Sequence, residues 1–154
     1  MTTIPPSLPE DAASDSALAA ETRFYRAFAQ CDSVAMGSIW ARGDEVSCIH
    51  PGGSLLRGHD AVAASWRDIF TGARRPEVAY QLLQVTHSDG LAVHLVEERI
   101  RPADAPPQHA PTRILATNVY RATAEGWRII AHHASLPMVE SRRPPAPPEA
   151  RRVH

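Results

Sequence analysis

The hydrophobic period of the chain turns from helical to strand-like for good after Phe70, and no other feature constrains the fold as tightly. Before that point apolar residues recur at helical spacing. Leu18, Phe24, Tyr25 and Phe28 form one broad face within Ser16 to Cys31. Asp32 is placed to cap a second helix carrying Met36, Ile39 and Trp40, which Gly43-Asp44 ends. Asp60 is placed to cap a third, carrying Val62, Trp66, Ile69 and Phe70, with Gly72 to stop it. Afterwards come four runs of strand length, Glu77 to Val85, Leu91 to Arg101, Thr112 to Arg121 and Trp127 to Ser135. HSDG, a proline-rich loop and TAEG separate them. A short β-prone run, Val46 to His50, interrupts the helical half and stops at Pro51-Gly52-Gly53. Helices first and strands afterwards imply an α+β fold, with helices packed on one face of an antiparallel sheet.

The 154 residues suffice for one core and not comfortably for two. Proline and charge dominate both ends, so residues 1–15 and 139–154 are expected to be disordered tails flanking one domain at 16–138. A formal net charge of −1 without long single-sign blocks leaves no footprint for nucleic acid or an anionic membrane. The sequence has no lysine, which excludes Schiff-base and lysine general-base chemistry. Cys31 and Cys48 lie outside any Cys-x-x-Cys spacing and are expected to be free thiols. The first residues lack a basic start and an apolar core, and no apolar run approaches a membrane span, so a cytoplasmic location is expected.

Eight histidines carry most of the potential chemistry. His50 stands at a strand end beside a flexible loop. In the last hairpin, a two- or four-residue turn within TAEG pairs even residues before it with odd residues after it. Asn118 and Tyr120 then share a face with Trp127, Ile129, Ala131, His133 and Ser135. The opposite face would carry Arg121, Arg128 and His132, and paired arginines do not belong in a core. His133 is therefore expected to point inward and His132 outward; an odd turn would reverse both. His133 is either a core histidine satisfied by Asn118 or a backbone carbonyl, or a ligand-facing group. His50, His133 and His94 could approach one another, but no His-x-His or His-x-x-x-His pair supplies two ligands from one element, and no metal or cofactor is expected. Of Glu97 and Glu98, one must face the sheet interior, as a buried general base or as a partner for Arg99, Arg101 or Arg113. Trp40, Trp66 and Tyr120 would wall a pocket or serve as plain core.

The segments RFYRAFAQCDSVAMGSIW, VSCIHPGGSLLRGHDAVAASW and TNVYRATAEGWRIIAHHAS together resemble the SnoaL-like branch of the nuclear transport factor 2-like superfamily, which includes ketosteroid isomerase and polyketide cyclases. The resemblance spans about residues 17–137. It implies a cone-shaped, curved sheet with three helices on its concave side around a mostly apolar pocket, usually within a homodimer. It also implies that His50, before Pro51, occupies the slot of the catalytic aspartate of ketosteroid isomerase, and that the oxyanion tyrosine falls at Phe24 or Tyr25. The expected function is thus a homodimeric protein that binds a small, largely apolar molecule, with His50 available for acid/base isomerase or cyclase chemistry. Trp40, Trp66, Asn118, Tyr120, His133, Ser135 and Tyr25 would line the site. The alternative is a non-catalytic dimerisation or ligand-sensing module with structural histidines.

Overall fold

The computed structural model describes residues 15–72 and 74–138. Both expected tails otherwise lie outside the described residues. Three helices, α1 (Ala17–Gln30), α2 (Ser33–Ile39) and α3 (His59–Gly72), pack on one six-stranded sheet. The strands are β1 (Ser47–Ile49), β2 (Leu56–Arg57), β3 (Pro76–Ser88), β4 (Leu91–Pro102), β5 (Thr112–Thr123) and β6 (Gly126–Ser135). Among the described residues, no helix is long and apolar enough to cross a membrane.

Local chemistry explains the helix boundaries. The Ser16 side chain accepts from the Ala19 N–H at 3.1 Å and starts α1. Cys31 closes that helix in the left-handed region at φ 51°, and Asp32 immediately caps α2 by accepting from the Ala35 N–H at 3.0 Å. The two helices therefore meet in a hairpin with no intervening loop. Asp60 lies inside the first turn of α3 and not before it, because the helix begins one residue earlier, after Gly58 at φ 86°. A carboxylate there still favours the helix dipole.

The sheet order is β2-β1-β6-β5-β4-β3. Four long strands form an antiparallel meander, as their spacing predicts. The short strand corrects the all-antiparallel expectation: β1 runs parallel to β6, with Cys48 beside His132 and Ile49 beside His133. That pairing joins segments more than 80 residues apart, which turn signals cannot specify. Strand β2, only two residues long, pairs antiparallel to β1 and gives no periodicity to detect.

The last hairpin turns through Ala124-Glu125, so Tyr120 faces Ile129 as the two-residue turn requires. Beyond that point the register shifts: Tyr120 pairs with Ile129 but Val119 pairs with Ala131, leaving Ile130 as an extra residue on β6. One inserted residue exchanges the two faces of everything after it. Consequently His132 and Ala134 point into the core, whereas His133 and Ser135 point outward, opposite to the expected arrangement. The concave face of the sheet and the three helices enclose a core that includes Phe24, Tyr25, Met36, Trp40, Trp66, Tyr120 and Ile129.

Candidate functional site

His50 follows β1 directly and shares its inward face with Cys48, two residues earlier. The bend Pro51-Gly52-Gly53 turns back on it, with the Gly53 N–H donating to the His50 carbonyl at 2.8 Å. The ring is half-buried, edge-on to Trp66 with centroids 4.8 Å apart. Its Nε2 lies 2.9 Å from Ser65 Oγ, and that hydroxyl donates its own proton to the Val62 carbonyl at 2.7 Å. Ser65 can then only accept from the imidazole, which puts the proton of His50 on Nε2 and leaves Nδ1 as the acceptor. Burial lowers the pKa of His50 below its usual 6.5, so the ring is neutral at neutral pH. A neutral imidazole with an unprotonated nitrogen is chemically a base.

Behind it runs a buried chain of four polar side chains. His132 Nδ1 donates to Asn118 Oδ1 at 2.5 Å. Asn118 Nδ2 donates to Tyr25 Oη at 3.0 Å, and Tyr25 donates to Glu98 Oε2 at 2.7 Å. All four residues are at most 2% exposed. Desolvation, followed by the nearby His50 and His133, lowers His132 to about 3, so it stays neutral. Desolvation raises Glu98 to about 7; the Tyr25 hydrogen bond pulls it down, and the Glu21 carboxylate pushes it up. Burial, with the Glu98 charge adding to it, holds the Tyr25 phenol well above 10.

A second buried cluster adjoins the first. Glu21 Oε2 accepts from Tyr120 Oη at 2.9 Å and from His94 Nδ1 at 2.8 Å. The sequence reading did not select Glu21 or His132. Glu21 had left a signal, since it sits on the apolar face of α1, four residues before Tyr25, where a charge needs a buried partner. Of the glutamate pair, Glu98 faces the interior, while Glu97 faces outward and accepts from Arg99 at 2.9 Å and Arg113 at 2.7 Å.

Trp40, Trp66, Tyr25, Asn118 and Tyr120 all face the interior and are at most 1% exposed, packed against protein. The indole N–H groups of Trp40 and Trp66 have no hydrogen-bond acceptor among the described residues. His133 and Ser135 line a shallow depression on the outer sheet face with Leu83, Leu95, Leu115 and Thr117. At the end of the sheet that bears His50, where β3 and β5 begin and β4 ends, lies an open apolar recess of about 410 Å³. Phe28, Ile69, Phe70 and Ile100 form its apolar wall, and Arg74 and Arg101 also line it. Trp66 stands between the recess wall and His50: its ring centroid is 5.1 Å from Phe28, 5.6 Å from Phe70 and 4.8 Å from His50.

A family model described as a SnoaL-like domain matches residues 18–139. The chain belongs to the SnoaL-like domain family. Solved relatives agree with the SnoaL-like assignment and with a nuclear transport factor 2-like cone. The "Putative calcium/calmodulin-dependent protein kinase type II association domain" of Thiobacillus denitrificans is 40% identical, with a TM-score of 0.74, over 80% of this chain and 96% of that one. A "putative dehydratase from the NTF2-like family" of Streptomyces avermitilis is 27% identical, with a TM-score of 0.72, over 85% of this chain and all of that one. Among curated proteins, the F-box protein SKIP8 of Arabidopsis thaliana is 21% identical over 126 residues. The SnoaL-like chain spans about half the length of that relative, 52%, with 82% of its own residues matched.

Proposed function

We propose that this SnoaL-like protein binds and retains a small, largely apolar molecule at the end of the sheet that bears His50, with His50 as the proton acceptor. The observation that carries the proposal is the hydrogen-bond direction at His50: Ser65 fixes the proton on Nε2, so Nδ1 remains basic at neutral pH. Proton abstraction from a carbon or hydroxyl acid, as an isomerase or cyclase requires, needs that state. Supporting it, the buried N–H of Trp66 beside His50 has no acceptor among the described residues, a cost of about 1–3 kcal/mol that a ligand oxygen would relieve. The buried His132-Asn118-Tyr25-Glu98 chain would hold the rings behind His50 in place.

The state of His50 is open to direct test. Long-range proton-nitrogen NMR spectra of the imidazoles, recorded from pH 5 to 8, should show His50 protonated on Nε2 and neutral throughout the upper half of that range, with a midpoint below 6.5. The His50→Gln variant identifies the signals. A His50 ring that is doubly protonated at pH 7, or protonated on Nδ1, removes the base from the proposal.

A second reading is favoured by the outer sheet face. There Leu83 and Leu95 are 51% and 36% exposed on the same face as His133 and Ser135, and the 40% identical relative is named as an association domain. In that reading the cone serves homodimerisation, and its buried histidines are structural. The two readings share the dimer and differ in whether a ligand is held.

A further inference from the structure

The recess at the end of the sheet that bears His50 is lined by apolar residues and two arginines. Its lining comprises Phe28, Ile69, Phe70, Ile100 and other uncharged residues together with Arg74 and Arg101, and among the described residues no carboxylate lines it. Both guanidinium groups have protein partners. Arg74 Nη1 donates to Asp104 at 3.1 Å, and both partners are exposed. Arg101 is more constrained. Its Nη2 donates to the Ala105 carbonyl at 2.8 Å and the Pro106 carbonyl at 3.3 Å, and its Nη1 to the His109 carbonyl at 3.5 Å. These bonds fix the guanidinium under the 102–111 loop. Its Nε is buried and has no hydrogen-bond acceptor among the described residues; Glu77 Oε2 is 3.3 Å away, but off the N–H direction.

We infer that the ligand of this recess is an amphipathic carboxylate, with an apolar body against Phe28, Ile69, Phe70 and Ile100 and a carboxylate at Arg101 and Arg74. The inference rests on the small-molecule reading above and narrows it. Two guanidinium groups are the charged side chains lining an otherwise uncharged apolar recess, and a ligand carboxylate there gains charge-assisted attraction from both. Because the terminal nitrogens of Arg101 are committed to loop carbonyls, few donors remain, which suits a monoanion better than a phosphate. The recess volume lies within the usual range for small-molecule sites. Displacing exposed Asp104 from Arg74 costs little, since both partners already compete with water.

Three ten-carbon probes separate the possibilities on the full chain: decanoate, decanol and decyltrimethylammonium, titrated by calorimetry at low ionic strength and again at high salt. Decanoate should bind at least about tenfold more tightly than decanol, and the cation more weakly than either. In Arg101→Gln that gap should shrink to less than about threefold while decanol binding is unchanged. Arg74→Gln, at an exposed position that the fold does not need, should reduce the gap and its salt dependence by itself. Equal binding of decanoate and decanol, or a gap that survives both substitutions, overturns the carboxylate inference while leaving an apolar recess. No binding of any probe removes the small-molecule reading of the recess, and the inference with it.

Discussion

Replacing Glu98 by glutamine is expected to stabilise the protein at alkaline pH, by an amount that grows by about 3 kcal/mol between pH 4 and pH 8. The cause is the site itself. Glu98 is 1% exposed and has its carboxyl raised from 4.5 to about 7, chiefly by desolvation. Between those values the folded chain keeps a proton that the unfolded chain has released. The stability this group contributes is complete below pH 4.5 and is lost as pH rises through 7. Glutamine stays neutral and can still accept the Tyr25 hydrogen bond, so it does not lose that contribution. His132 acts in the opposite sense: its folded value near 3 lies below 6.5, so its contribution is present above 6.5 and lost as pH falls. The two effects cancel between about 4.5 and 6.5, where wild-type stability should be flat. In Glu98→Gln stability should keep rising to about pH 6.5. Urea unfolding of both proteins at pH 4, 6 and 8 measures the difference. An offset independent of pH would mean that Glu98 titrates in the fold as it does in the unfolded chain.

Truncating Trp66 to alanine should cost about 3–5 kcal/mol, a large fraction of the stability of a domain this size. The indole is 1% exposed and meets five rings: Phe24 at 5.5 Å, Phe28 at 5.1 Å, Phe70 at 5.6 Å, His50 at 4.8 Å and His132 at 5.8 Å. It joins α3 to α1 and to the β1 and β6 end of the sheet, so the space left by its removal cannot be filled by one neighbour. Denaturant midpoints at fixed pH read the loss. Trp66→Phe keeps most of the contact and should cost less than half as much. A loss below about 1 kcal/mol for Trp66→Ala would show that this ring is not part of the packed core.

The helical half of the fold was legible because its signals are local. Ser16 and Asp32 cap helices through their own side chains, and the aromatic spacing marks the buried face of α1. The strand lengths and the Ala124-Glu125 turn were legible for the same reason. His50 was found by its place between a β-prone run and Pro51-Gly52-Gly53. What failed was parity: the extra residue at Ile130 has no glycine to announce it, yet it exchanges His132 for His133 on the inner face. The parallel pairing of β1 with β6 was hidden because nothing near Cys48 encodes a neighbour at His132. The polar chain was legible in part. Tyr25, Asn118 and Glu98 were singled out, but their connection to one another depends on three elements meeting, and His132 entered it only through the bulge.

Paired native and denaturing mass spectra of the gently purified full chain test the proposed function most directly. A small-molecule protein of this kind should appear as a dimer whose native mass exceeds twice the sequence mass, with the excess released on denaturation as an organic compound. A dimer at the bare sequence mass under both conditions would contradict a retained ligand and make association through the outer sheet face the better description.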